Sequence, residues 1–252
     1  MAKKRLDLLL VERGHVESRE KAQRLILAGV VRVEGQVADK PGHPYADDAV
    51  VEMEAGNRFV SRGGEKLEEA FSRFGINVTG LTCADIGAST GGFTDCLLQH
   101  GATRVYAMDV GRGQLDWKLR NDPRVVVKEG LNARYLQRSD IPEPFQFTVI
   151  DVSFISLTLI LPPVTKLIAP SGELVTLIKP QFEAGRDKVG KGGVVRDPAV
   201  HEEVIGQIRR FGTGTLALEW KGLCESPIKG PAGNVEFLAW WRKNPSLSGE
   251  VS

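Results

Sequence analysis

Two hydrophobic patterns divide the chain. From residue 5 to 52 the apolar positions come in short bursts. Leu6, Leu8 to Leu10 and Val11 predict a helix that stops at Gly14. Ser18 is placed to cap a second helix, running from Arg19 to Ala28 and closed by Gly29. Val30, Val31, Val33 and Val37 then alternate around Glu34-Gly35, a strand–turn–strand signal. Turn residues at Pro41–Pro44 and Ala55–Asn57 put a boundary near residues 55–60, giving a small α+β domain over 1–56 and a linker at 57–60. From Ser61 strands alternate with helices. A helix at 64–74 is expected, then strands at 81–86, 104–110, 124–129, 146–152 and 172–179, with helices clearest at 93–100, 156–168 and 197–211. Such short β-branched strands (Val125–Val127, Thr148–Ile150) suit burial on both faces. The alternation predicts a doubly wound, Rossmann-like parallel α/β sheet over residues 61–243. Two further strands near 214–221 and 234–241 lack room for a helix between them and should close the sheet as an antiparallel hairpin. The chain beyond Arg242, with its tail at 244–252, reads as disordered.

Composition narrows the function classes. The 252 residues are 42% hydrophobic and 26% charged, with a formal net charge of +1, so any nucleic-acid surface must be local. Residues 1–35 hold eight Lys and Arg against five Asp and Glu, a modest excess that a solvated helix face would also explain. Cys83, Cys96 and Cys224 are scattered and odd in number, which argues against a disulfide framework or a zinc site. His15, His43, His100 and His201 show no triad or metal spacing and are expected to be structural or solvated. The apolar run Leu8–Val11 is too short for a signal peptide, and Val149–Leu161 is broken by Asp151 and closed by Pro162-Pro163. A cytoplasmic protein without membrane or metal is the expectation.

The chemistry concentrates at strand ends. The segment Asp85-Ile-Gly87-Ala88-Ser89-Thr90-Gly91-Gly92-Phe93 joins an apolar strand to a helix start, and its glycines let backbone approach a ligand. It lacks the G-x-G-x-x-G of dinucleotide sites and opens with an acid, which suits an amine or a cation better than phosphates. S-adenosylmethionine, with an amino group and a sulfonium, is such a ligand. In open α/β sheets ligands sit beyond the strands' carboxyl ends. Those ends carry Asp109, 24 residues after Asp85 and suited to a ribose diol; Asn132, able to read an adenine edge; Asp151; and Lys179. Glu236 lies in the last hairpin, and Lys66 lies on the helix opening the domain, where Glu68 or Glu69 could equally pair with it on the surface. The loop Gly185–Arg196 reads equally well as an RNA cover or a linker.

Residues 5–14, 18–24 and 29–35 together resemble the small RNA-binding module of the S4 type. That resemblance implies phosphate contacts at Arg5, Arg19, Lys21, Arg24 and Arg32. The second domain resembles the FtsJ-like ribose methyltransferases through Ser61–Leu67, Asp85–Thr94, Asp151–Ser156, Lys179–Glu183 and Gly233–Glu236. With the leading module, the chain is similar to the TlyA family, often labelled haemolysins. The family tetrad Lys–Asp–Lys–Glu falls on Lys66, Asp151, Lys179 and Glu236, all four positions being filled. The glycine turn, Asp109, Asn132 and Asp151 become cofactor residues, and Arg62 an RNA contact. Asn132 departs from the acid that many relatives carry. The resemblance implies S-adenosylmethionine-dependent methylation of a ribose 2′-OH, a cytidine, in ribosomal RNA or ribosomal subunits, with Lys179 taking the hydroxyl's proton or only orienting it. The alternatives are an RNA-binding protein with an inactive transferase domain and a membrane-active haemolysin.

Overall fold

The computed structural model describes residues 3–27, 29–53, 58–230 and 232–245. The predicted linker residue 57, the turn at Ala55–Asn57, the end of the second helix at Ala28 and most of the predicted tail (246–252) lie outside them. The chain forms two compact units, Met1–Arg58 and Phe59–Ser252.

In the first unit, β1 (Lys3–Arg5) precedes α1 (Leu6–Glu12) and α2 (Arg19–Leu27), followed by β2 (Val31–Val33), β3 (Gln36–Val37), β4 (Pro44–Ala46) and β5 (Val51–Met53). Ser18 caps α2 as its position suggested: its Oγ accepts from the Lys21 N–H at 3.2 Å. The β2–β3 turn is present, and β5 adds to β2 while β1 pairs with β4 in a separate ribbon; neither addition was legible from alternation in so few residues. Leu6, Leu10, Ala22, Ile26, Val31 and Val33 form the core. Beside it lies Asp7, wholly buried although charged. It accepts from Arg5 (3.0 and 2.9 Å), Gln23 (2.9 Å) and Arg19 (3.0 Å). The Arg5 guanidinium above all, with Gln23 and Arg19, holds the Asp7 carboxyl well below the usual carboxylate range.

The second unit runs α3 (Gly63–Phe74), β6 (Thr82–Ile86), α4 (Gly92–Gln99), β7 (Arg104–Asp109), α5 (Trp117–Arg120), β8 (Val125–Glu129), β9 (Phe145–Ile150), α6 (Leu157–Thr165), β10 (Ile168–Ile178), α7 (Pro180–Glu183), α8 (Pro198–Arg210), β11 (Leu218–Glu225) and β12 (Phe237–Lys243). The sheet order is β11-β12-β10-β9-β6-β7-β8. β6 to β10 are parallel, and β12 pairs antiparallel with both β10 and β11, as the hairpin pattern predicted. Alternate strand residues supply two separate cores: Cys83 and Val149 pack into one, Ala84 and Ile150 into the other. Phe59 and Val60, placed in the linker from sequence, belong to this unit: Phe59 is buried and the Val60 N–H donates to Asp95 at 2.9 Å.

Several boundaries move, among them the start of β12, at Phe237 rather than 234, and the end of α6, at Thr165 rather than 168. The strand expected at 214–221 begins only at Leu218, because α8 runs on into a π-turn over Phe211–Thr215. Gly212 makes that possible, since a Cβ there would fall 2.4 Å from the Trp241 ring. β10 starts at Ile168, before the expected 172, through an irregular pairing between Ile168 and Glu173. Lys243, beyond the expected last ordered residue, closes β12 and its Nζ donates to the Thr165 and Ile168 carbonyls. No helix among the described residues is long and apolar enough to cross a membrane.

The Asp7 cluster yields a stability prediction. Replacing a buried, multiply bonded carboxylate leaves its donors unmatched, so Asp7→Asn should cost the first unit about 1–3 kcal/mol in denaturant unfolding at pH 7. Because the folded carboxyl is depressed, its contribution is present above the unfolded value near about 3.9 and fades as pH falls below it. The wild type should therefore lose this increment on acidification, and Asp7→Asn should show no such loss.

Candidate active site

The carboxyl ends of the parallel strands and the start of β12 open onto one cleft. Asp85 is the fourth residue of β6, and Gly87 follows the strand with φ +87° and its backbone packed on the next strand's end. A Cβ on Gly87 would lie 2.2 Å from the Asp151 carbonyl oxygen. Only glycine lets the two strand ends come this close, with a backbone angle that side chains disfavour. The turn delivers the chain to the N-terminus of α4 at Gly92.

The cleft has two lobes that share Gly87, Ser89 and Asp151. The first, about 400 Å³, is lined by Arg62, Lys66, Asp85, Ala88, Thr90, Gly92 and Phe93 as well. The second, about 520 Å³, adds Asp109, Gln114, Asn132, Leu136 and Phe154. Gly91 lies behind this wall, against Leu115 and Leu119. Apart from Gly91, every sequence-predicted cofactor residue lines one lobe of the cleft or both.

Asp85 is fully buried. Its Oδ2 accepts from Thr94 Oγ1 at 2.7 Å, while Oδ1 has no partner among the described residues. Burial pushes its carboxyl up to about 7, with Asp151 and Asp109 adding to the rise and Thr94 opposing it. An orphaned carboxylate oxygen in a cavity wall is a place for a cation. Asp109 accepts the Ser89 N–H (2.8 Å) on one oxygen and the Gly111 N–H (2.7 Å) on the other, so the side chain is locked with lone pairs to spare. Asn132 spends its carbonyl on the Arg134 N–H at 3.0 Å. Its amide N–H₂ is what remains to offer a ligand.

The four chemical side chains form two ion pairs. Lys66 Nζ stands 2.6 Å from Glu236 Oε2, and both residues are buried. The surface pairing with Glu68 or Glu69 that sequence allowed does not occur; Lys66 points inward to a carboxylate 170 residues away. Glu236 Oε1 is left without a partner among the described residues, and Gly230 makes room for it. Lys179 Nζ lies 2.5 Å from Asp151 Oδ1 and donates to Ser153 Oγ at 3.0 Å. Lys179 and Glu236 are brought together by the ladder, since each adjoins the last β10–β12 pair, Ile178 and Phe237. Lys66 and Asp151 line the first lobe, and Glu236 and Lys179 are joined to them by the two ion pairs.

Sequence reasoning missed several supporting residues. Thr94 and Ser153 hold Asp85 and Lys179, and a hydroxyl inside a motif leaves no periodic trace. Asn234 is buried, accepts the Val195 N–H and donates to the Gly193 carbonyl, both at 2.9 Å. It straps the 185–196 loop to the segment before Glu236, so the loop is fastened at Gly193 and Val195. Phe154 is 90% exposed with φ +63°, its ring 4.9 Å from Phe182, whose ring lies 6.0 Å from Lys179 Nζ. In the first unit, Arg5 and Arg19 give donors to Asp7, and Lys21 sits 2.7 Å from both Glu17 oxygens, so these cations are partly structural. Arg24 is exposed, and Arg32 donates to the Gly35 carbonyl at 3.3 Å.

Residues 59–243 match the FtsJ-like methyltransferase family and residues 4–51 the S4 domain. The chain is 52% identical to "Putative rRNA methyltransferase YqxC" of Bacillus subtilis, over 94% of this chain and 84% of that protein. It is 45% identical to "16S/23S rRNA (cytidine-2'-O)-methyltransferase TlyA" of Mycobacterium tuberculosis, over 94% of this chain and 89% of the relative. A solved structure titled "Putative hemolysin from Streptococcus thermophilus" is 46% identical, covers 97% of this chain and 90% of its own, and superposes with a TM-score of 0.74. A structure titled "Crystal structure of putative S-adenosylmethionine dependent methyltransferase from Listeria monocytogenes", 15% identical with a TM-score of 0.51, shares the fold alone.

Removing one partner of a buried ion pair strands the other. Lys66→Met should destabilise the chain by about 3–5 kcal/mol in denaturant unfolding, and adding Glu236→Leu should restore most of that loss. Equal stability of Lys66→Met and wild type would mean the pair is solvated.

Proposed function

Since the chain belongs to the FtsJ-like methyltransferases, and with its leading S4 domain to their TlyA branch, we propose that it methylates the ribose 2′-OH of a cytidine in ribosomal RNA. One observation carries this reading. Two Lys–carboxylate pairs meet at a cleft whose opening turn starts with a buried carboxylate that has one oxygen unmatched.

S-adenosylmethionine, when bound, supplies a methyl group activated by its sulfonium, and the residues present fit it. Asp85 lines the first lobe with its Oδ1 unmatched, an oxygen that a cationic group would satisfy. The locked Asp109 carboxylate suits vicinal hydroxyls, and the Asn132 amide suits a base nitrogen. Gly87 leaves room that any larger residue would fill.

In-line methyl transfer depends chiefly on positioning the acceptor oxygen. Lys179 either receives the 2′-OH proton after first losing one of its own to solvent, or stays an ammonium and orients the hydroxyl while water takes the proton; Asp151 and Ser153 fix its Nζ from two sides. Lys66 and Glu236 hold each other and the wall of the same lobe, which keeps the hydroxyl's approach narrow. Phe154, beside Phe182, offers a nucleobase a stacking surface next to Lys179. Arg62 on the cleft rim, and Arg24 with the remaining donors of Arg5 and Arg19 on the S4 unit, suit phosphates, which position an RNA without reading its sequence. The haemolysin titles of some relatives find no membrane-spanning helix among the described residues here.

The test is labelled methyl incorporation into ribosomal subunits by wild type and Lys179→Ala. The variant should fall to background while calorimetry gives a cofactor affinity within about threefold of wild type. Lost affinity with retained transfer would overturn the role given to Lys179. Asp85 adds a pH signature. Its carboxylate pairs with a cation only when ionised, so cofactor affinity should rise as pH climbs through about 7. Asp85→Asn should bind more weakly and lose that dependence, both read by titration at pH 6 and pH 8.

A further inference from the structure

Outside the residues that line the cleft, three side chains of α3 and α4 with metal-binding atom types meet. Cys96 and His100 lie four residues apart, one turn of helix, so they share a face. Glu68 reaches them from α3. His100 Nε2 is 2.7 Å from Glu68 Oε2, Cys96 Sγ is 3.8 Å from the same oxygen, and the three donor atoms all lie within 4.8 Å of one another. The edge of the His100 ring meets Phe71, with centroids 4.7 Å apart, which fixes the imidazole. Cys96 is buried, while the Glu68 and His100 side chains are 24% and 30% exposed, so an ion could enter from solvent.

We propose that Glu68, Cys96 and His100 bind a thiophilic divalent cation, with Zn²⁺ the best fit, that clasps α3 to α4. One sulfur, one nitrogen and one carboxylate oxygen suit zinc and exclude magnesium and calcium, which want oxygen alone. With zinc bonds of about 2.3 Å to sulfur and about 2.0–2.2 Å to nitrogen or oxygen, tetrahedral donors stand roughly 3.3–3.6 Å apart. The observed spacings reach that range by side-chain rotations of an ångström or less. Binding replaces the Cys96 thiol proton, which leaves to solvent, and solvent supplies the fourth ligand. The clasp matters because Lys66 stands two residues before Glu68, and α4 begins with the cleft residues Gly92 and Phe93. An ion here joins the helix carrying Lys66 to the helix that opens the glycine turn. The scattered cysteines and histidines suggested no metal; the four-residue step from Cys96 to His100 was the signal, and it needed Glu68 from another helix to acquire meaning.

The test uses the full chain, stripped with chelator and titrated with Co²⁺. A single equivalent should raise thiolate-to-cobalt charge-transfer absorption and tetrahedral visible bands, both displaced by Zn²⁺. Cys96→Ser should remove the charge-transfer band, and His100→Gln should weaken binding by about tenfold or more. Zn²⁺ should raise the melting temperature of the wild type, and raise that of His100→Gln distinctly less at the same zinc concentration. A band that survives in Cys96→Ser, or a zinc shift equal in His100→Gln and wild type, would overturn the site. So would a wild type that gives no thiolate band.

Discussion

The buried pair of Lys66 and Glu236 is the constraint around which the second unit is arranged. It joins the first helix of the unit to its last strand, so the two ends of the fold must come together before either charge is compensated. A charge buried without its partner costs several kcal/mol, which couples formation of the cleft to completion of the sheet. The antiparallel entry of β12 follows from the same requirement. Running antiparallel to β10, its starting residue lies at the end of the sheet where the parallel strands finish, so Glu236 arrives beside Lys179.

The second pair uses a different geometry for a different end. Lys179 and Asp151 follow adjacent parallel strands, β10 and β9, three residues and one residue past the last pair, Thr176 and Ile150, so the long lysine side chain spans the offset to reach the carboxylate. Gly87 presses the neighbouring strand end against the Asp151 carbonyl, so the glycine turn and the ion pair are set by one close approach. The two lobes of the cleft therefore share a wall and cannot drift independently.

Much of this was legible from residues alone. The five parallel strands announced themselves by short β-branched runs, and the chemistry by what stood just past each run. What was illegible depended on partners distant in sequence. Lys66 had nearer acids at Glu68 and Glu69, and nothing in its own helix says that it points inward to Glu236. Arg5 and Arg19 read as free cations because Asp7, their shared acceptor, looked like an ordinary helix-start acid; only tertiary packing buries it. The start of β11 was misplaced because the π-turn at Phe211–Thr215 depends on Trp241 seated over Gly212, a contact no local pattern encodes.

Nucleoside analysis of ribosomal RNA after reaction with the purified chain tests the central claim most directly, because the arrangement of two lysines and two carboxylates is suited to a hydroxyl acceptor. Digestion and mass spectrometry should reveal one new methyl group on the ribose of cytidine, at its 2′ oxygen. A methyl group found on a base, with the ribose unmodified, would contradict the account.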